Sequence, residues 1–118
     1  MGMVIERFNV FLVRLDPVAG AETAKTRPCV IVSPDELKRA LATVIIAPMT
    51  TVRRWWPTRV EIKFQGKMGE VALDQLRTVD KSRLVKKLGK LDNPTAEAVL
   101  DTWGTFRSVS RGKHYHHY

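Results

Sequence analysis

Three short stretches of this sequence gather side chains suited to phosphate chemistry. The first is Leu15-Asp16-Pro17 and, after a small polar segment, Lys25-Thr26-Arg27-Pro28. Proline fixes its own φ and restricts the residue before it, so Arg27 is held at a rigid strand start. A planar guanidinium keeps its charge and offers paired hydrogen bonds to a phosphate; a surface ion pair is the plainer alternative. The second is Ala47-Pro48-Met49-Thr50-Thr51, running into Val52-Arg53-Arg54-Trp55-Trp56-Pro57. Thr50 and Thr51 put two hydroxyls at a strand end, where they can bond phosphate oxygens. Arg53 and Arg54 beside Trp55 and Trp56 supply cations and flat faces on which unpaired bases stack. One tryptophan can serve the core, but a loop this polar leaves at least one for contact. The third is Leu73-Asp74-Gln75-Leu76-Arg77. Asp74 and Gln75 can read base edges, and Arg77 can hold a phosphate or pair with a carboxylate. A structural polar network among these side chains competes with that reading.

Charge narrows the partner. Twenty Lys and Arg against twelve Asp and Glu leave a net charge of +8 over 118 residues, which attracts polyanions at a distance. Nucleic acid comes first and an acidic protein second. An anionic membrane is a weaker third, since no basic amphipathic helix stands out. No run approaches the ~20 apolar residues of a membrane span, and the first residues lack a secretory apolar stretch. Cys29 is the only cysteine, so neither an intrachain disulfide nor a cysteine metal cluster can form. A cytoplasmic protein with no membrane partner is expected. Cys29 itself, inside Pro28-Cys29-Val30-Ile31-Val32, reads as packing. The histidines, His114, His116 and His117, all fall in the tail Arg111–Tyr118. Histidine is suited to acid–base work, but a terminal tail reads as solvated or adventitiously metal-binding. Metal-ligand spacing occurs nowhere else, so the expectation is no metal and no cofactor.

The elements that must position these groups are short strands. Phe8–Leu15 reads as a strand apolar on both faces, broken at Asp16-Pro17, with a mobile loop over Gly20–Thr26. A second strand spans Pro28–Val32. Ser33-Pro34-Asp35-Glu36 predicts a cap and a short helix through Leu41. Strands follow at Thr43–Met49 and Arg59–Phe64, with the irregular Thr50–Thr58 loop between them. Gln65–Gly69 turns the chain into Glu70–Leu73. Asp80–Arg83 suggests one helical turn and Leu84–Leu91 a last strand. Asn93-Pro94 opens a final helix whose stripe Ala96, Val99, Leu100, Trp103 and Phe106 reads as core. The pattern predicts a mainly β fold with short helices: a small, curled antiparallel barrel with a C-terminal helix packed on it. Residues 1–108 form the expected domain and 109–118 a basic, His/Tyr-rich tail.

The landmarks Leu15-Asp16-Pro17, Arg27-Pro28, Val32-Ser33-Pro34-Asp35, Ala47-Pro48-Met49-Thr50, Asp74–Asp80 and Arg83-Leu84…Leu88-Gly89-Lys90-Leu91 resemble, in order, those of the MazF/PemK toxins. The resemblance runs from about Val10 to Leu100. It implies an SH3-like, CcdB-type barrel, a homodimer, cleavage of single-stranded RNA at short sequences, and neutralisation by a cognate antitoxin. It places Arg27 and Thr50 where one branch keeps its catalytic arginine and threonine. Asp74 and Gln75 fall in the family's RNA-binding strand end, and Thr51, Arg53, Arg54, Trp55, Trp56 and Arg77 complete the expected RNA contacts. Two departures are visible. Another branch has a histidine and an arginine where this chain has Ala21 and Ala72, and the family's Arg-Gly-Asp start is here Arg7-Phe8-Asn9.

RNA cleavage by its own 2′-hydroxyl requires proton removal, stabilisation of charge on the phosphorus oxygens, and a proton for the leaving 5′-oxygen. Arginine suits the second and third of these and is a poor base, its pKa exceeding ~12. A metal-independent endoribonuclease toxin is the resulting expectation. A CcdB-like gyrase poison and a non-catalytic RNA-binding barrel are the alternatives.

Overall fold

The computed structural model describes residues 4–16, 25–36 and 41–116. Strands β1 (Asn9–Asp16), β2 (Lys25–Ile31), β3 (Thr43–Thr50), β4 (Arg59–Phe64), β5 (Lys67–Ala72), β6 (Arg77–Asp80) and β7 (Leu84–Lys90) precede a C-terminal helix α1 (Asn93–His116). All pairings are antiparallel, in the order β4-β5-β3-β2-β1-β7, with β6 also pairing β3. This is the expected curled, mainly β architecture with a terminal helix. Among the described residues no helix is long and apolar enough to cross a membrane.

β3 is the hub. One edge pairs β2; the other pairs β6 along Thr43–Ile46 and then β5 at Met49 and Thr50. Pro48 stands at the changeover, where its missing N–H leaves no ladder bond unmade. Both faces of the central strands are buried, as their unbroken apolar runs require. Val10, Val30 and Ala47 face one core with Val60, Ile62, Val71, Leu73, Leu91 and Val99. Phe11, Val13, Cys29, Ile31, Val44 and Ile46 alternate onto the other face, closed by Val79 and Leu84. Burial of each large side chain contributes roughly 1.5–3 kcal/mol.

Several boundaries differ from expectation. β2 begins at Lys25, so Thr26 and Arg27 are ladder residues; 17–24, most of the expected loop and including Ala21, lie outside the described residues. The β4–β5 turn needs only Gln65 and Gly66, with φ of 49° and 79°, so β5 returns at Lys67 rather than Glu70. β6 lacks a readable pattern because only Val79 points inward. Ser33 ties two strands, its hydroxyl accepting the Ile45 N–H at 2.9 Å. Asp35 and Glu36 are helical, and 37–40 of the expected helix lie outside the described residues.

The cap of α1 is Asp92, one residue earlier than Asn93, with Oδ1 accepting the Thr95 N–H at 2.9 Å. Ala96, Val99 and Trp103 pack on the first core, whereas Leu100 is exposed. At 100° per residue it lies about 70° from the mean direction of the other three, beyond a narrow contact stripe. The Phe106 side chain lies outside the described residues, as does His117, while the backbone of α1 is helical to His116. Phe8, where the resembled motif has glycine, takes a φ of 71°. Its carbonyl accepts the Leu91 N–H at 3.0 Å and its N–H reaches Ile31 at 2.7 Å. The left-handed backbone that glycine would favour is therefore retained by tertiary bonds.

Candidate active site

The start of β2 and the end of β3 bring the first two sequence stretches together. Register pairs Cys29 with Pro48 and Ile31 with Ile46, and Arg27 and Thr50 each lie two residues beyond that paired stretch. Across the other edge of β3, Thr50 pairs with Glu70 of β5. A hollow of about 470 Å³ opens there, lined by Arg27, Thr50, Thr51 and Glu70 and by apolar Met49, Val52, Phe64 and Met68. Thr50 Oγ1 accepts the Val52 N–H at 3.0 Å, which leaves the hydroxyl proton to donate. A second hollow of about 340 Å³, lined by Leu15, Lys25, Thr26, Arg27, Pro48, Gln75 and Arg77, shares Thr26 and Arg27 with the first.

Arg27 is exposed on the rim between them. Among the described residues no ion pair or hydrogen bond engages its guanidinium. The neighbouring Cys29 is buried, and burial pushes its thiol up to about 12 against the pull of Arg27 and Arg77. It is a packing residue and not a nucleophile.

The Arg-Trp loop stands beside the first hollow as a ledge. Trp55 is 71% and Trp56 50% exposed, so neither serves the core. Arg53 lies 4.0 Å from the centroid of Trp55, and Arg59 lies 4.8 Å from that of Trp56, with Arg54 at 5.8 Å. Beneath the ledge is Glu70, 2% exposed. Its carboxylate accepts the backbone N–H groups of Arg54 and Trp55, each at 3.0 Å. It also pairs with Arg59 at 3.1 Å and lies 3.6 Å from Arg53 Nε. Arg53 pairs besides with Glu61. Burial alone would raise the Glu70 carboxyl, but the two backbone donors and Arg59 outweigh it and hold it below the usual range.

The third stretch divides. Leu73–Gln75 forms a single 3-10 turn. Asp74 Oδ1 accepts from Thr58 at 2.9 Å and from Arg59 Nε at 2.7 Å. Desolvation raises this carboxyl, while Arg59 and Thr58 draw it below its ordinary value and prevail. The polar network here differs from one linking Asp74, Gln75 and Arg77 to each other: Asp74 bonds to Thr58 and Arg59, and Arg77 to the Leu15 carbonyl. Asp74 borders neither hollow among the described residues. Gln75 is exposed on the second hollow, where Arg77 Nη2 donates to the Leu15 carbonyl at 3.2 Å. Sequence reasoning missed Glu70 and Arg59, both taken as ordinary strand residues; an acid heading the apolar run Val71-Ala72-Leu73 was the available signal. Among the described residues no group of three His, Cys, Asp or Glu is placed to hold a metal ion.

Comparison with known proteins identifies the family and the fold. Residues 6–104 match the family model described as PemK-like, MazF-like toxin of type II toxin–antitoxin system. The chain is 33% identical over 103 residues to Endoribonuclease EndoA of Bacillus subtilis, covering 82% of this chain and 89% of that protein. Its fold is similar to an endoribonuclease in complex with its cognate antitoxin from a Mycobacterial species, with TM-score 0.72 and 25% identity over 86% of this chain and 93% of that one. It is similar also to MazE–MazF from Deinococcus radiodurans, with TM-score 0.77 and 22% identity over 91% and 98% of the two chains. The chain belongs to the PemK-like, MazF-like toxins of type II toxin–antitoxin systems.

Proposed function

We propose that this toxin is an endoribonuclease that cuts single-stranded RNA at short sequences by attack of the RNA's own 2′-hydroxyl. That hydroxyl loses its proton, its oxygen bonds to phosphorus, the P–O5′ bond breaks and the 5′-oxygen takes up a proton, so the products carry a 2′,3′-cyclic phosphate and a 5′-hydroxyl with no net change in protons. Because the substrate brings its nucleophile, no metal is needed to generate one. Arg27 stabilises charge on the phosphorus oxygens and donates toward the leaving 5′-oxygen, and Thr50 donates a second hydrogen bond. The observation that carries this reading is the placement of Arg27, without an ion-pair partner among the described residues, on the same hollow as Thr50. Thr51, Gln75 and Arg77 contact the flanking nucleotides, with Arg53, Arg54, Trp55 and Trp56 as a stacking ledge. Asp74 contributes through Arg59 at that ledge.

The protein acts in the cytoplasm as a homodimer, which would cover edge strands of the sheet. Residues 1–108 form the toxin domain, with 109–118 appended. The cognate antitoxin inserts an acidic, disordered segment along Arg27, Arg53, Arg54 and Arg77, and occludes RNA directly.

The test uses one labelled oligonucleotide containing a mapped cut site and a twin with a single 2′-deoxy substitution there, both in EDTA. Wild-type protein should cut the first and bind but not cut the second. Arg27→Ala should lower the rate about 10²–10³-fold while weakening binding only modestly. Arg27→Lys should stay impaired, since a point charge does not reproduce the guanidinium fork. Cleavage of the deoxy twin, or full activity in folded Arg27→Ala, overturns the mechanism.

A further inference from the structure

We propose that Glu70 is a positioning residue for RNA: its buried carboxylate holds the Arg53–Trp56 loop in the conformation that presents the tryptophans, and ties that loop to Thr50. The inference rests on the reading of the ledge as an RNA contact. It goes beyond it by assigning the ledge's geometry to one side chain.

Two independent observations carry it. The first is connectivity. Glu70 is Thr50's partner across the β3–β5 ladder, lines the same hollow, and accepts the consecutive N–H groups of Arg54 and Trp55 at 3.0 Å each. A single carboxylate thus joins the strand end beside Arg27 to the backbone under both tryptophans. The second is conformation. Trp55 has a φ of 60°, a left-handed backbone that a bulky side chain rarely adopts. Such a conformation persists only where the surroundings over-determine it. Glu70 supplies that constraint by accepting the N–H of this very residue. Arg59, its side chain 4% exposed and bonded to Glu70 at 3.1 Å, completes the arrangement by lying against the ring of Trp56.

The competing role for a buried carboxylate beside Thr50 is general base. Its surroundings argue against this. The two oxygens already accept two backbone N–H groups and an arginine, with Arg53 nearby, and those donors stabilise the ionised form at the expense of basicity. The acid that would form on proton transfer has no favourable place in that cage.

The test compares wild type with Glu70→Gln and Glu70→Asp, after circular dichroism has confirmed the fold. It measures affinity for the deoxy twin, single-turnover cleavage against pH, and tryptophan fluorescence. The amide of Glu70→Gln keeps one acceptor but sets its NH₂ against the second backbone donor. Affinity should fall about 5- to 150-fold, the equivalent of one stacked base, and tryptophan emission should shift. The loss should fall on KM and affinity more than on kcat, with the acid limb of the rate profile unmoved. In a Trp55→Ala background the same change should cost little further affinity. Glu70→Asp, keeping the charge on a shorter side chain, should be intermediate. A Glu70→Gln protein with wild-type affinity and emission overturns the proposal, and loss of kcat with the acid limb abolished replaces it with the general-base role. Hydrogen exchange on wild-type protein decides the case where neither variant folds. The Arg54 and Trp55 amides should be protected, more so with the deoxy twin bound, and free-loop exchange rates would refute the clamp. If wild type neither cuts nor binds RNA, the functional reading has failed; if it does both and Glu70 variants match it, only this inference has.

Discussion

Gly69 offers a way to move the end of β3, where Thr50 stands, without touching a polar group. A Cβ built at Gly69 would stand 2.4 Å from the Thr50 carbonyl oxygen and 3.2 Å from its carbonyl carbon. Ordinary carbon–oxygen contacts lie at about 3.3–3.6 Å, so Gly69→Ala must separate the β3 and β5 backbones by roughly 1 Å. Neither side can yield cheaply, because the obstacle is main chain and Thr50 is paired with Glu70 in the next ladder position. Overpacking of this kind costs about 1–3 kcal/mol of stability, and a misplacement near 1 Å can cost on the order of 10²-fold in rate. The expected protein is folded, with a Tm several degrees lower and single-turnover cleavage reduced about 100-fold. RNA affinity should change far less, since the strand end, and not the ledge, is displaced. Thermal melting, deoxy-RNA binding and single-turnover cleavage on the same preparation separate these effects. Wild-type cleavage by Gly69→Ala would mean that Thr50 is not held where the chemistry occurs.

Other perturbations act on separate parts of the molecule. The Cys29 thiol, pushed up to about 12 by burial, should react with a thiol reagent only when the protein is unfolded; native labelling at neutral pH would contradict its packing. Glu70 and Asp74 both titrate below their ordinary values, so the stabilisation they give is fully present above those values and is lost as pH falls through the lower folded ones. Tryptophan fluorescence should therefore stay constant from pH 8 to 5 and change only below about pH 4; a transition centred above pH 5 would refute the clamp's electrostatics. Burying the target sequence in a stable hairpin stem should protect it, and Trp55→Ala should weaken single-strand binding by about 1–3 kcal/mol. Equal cutting of stem and single strand would remove the stacking role.

The fold was legible where side chains obey a period. The apolar run of β1 predicts a strand buried on both faces, β2 and β3 read as strands beside it, and two cores flank them. β4 alternates cleanly as Arg59–Phe64 and is found there. The failures are local geometry without a compositional mark. β6 has one inward residue, and the turn at Gln65-Gly66 is shorter than its polar neighbourhood suggests. Leu100 fits a helical stripe on paper, but the contact surface under α1 is too narrow to reach it. Arg27, Thr50 and Gln75 could be nominated because proline, hydroxyls and motif order mark them. Glu70 carries a fainter mark, an acid at the head of Val71-Ala72-Leu73, and its burial is decided by the strands around it.

What separates the site's arginines is their company more than their type. Arg59 is nearly buried and held by Glu70 and Asp74, so its charge is neutralised in place and its role is to stiffen. Arg53 is paired with Glu61, lies near Glu70 and is stacked on Trp55. Arg77 is turned onto the Leu15 carbonyl, where it closes the second hollow. Arg27 differs from all three: it is exposed at a rigid strand start, between two hollows, and no carboxylate among the described residues compensates it. A fixed, uncompensated cation retains its full electrostatic value for charge that develops on a bound phosphate, whereas a paired one must first give up its partner. Placing a carboxylate beside Arg27 by Thr26→Glu should therefore suppress cleavage although Arg27 and Thr50 both remain. The loss should exceed that from Thr26→Gln, which matches it in size but carries no charge. Raising the salt concentration should narrow the difference between the two variants, because screening weakens an exposed pair. Equal rates for the two at low salt would show that the uncompensated charge of Arg27 is not what drives the reaction.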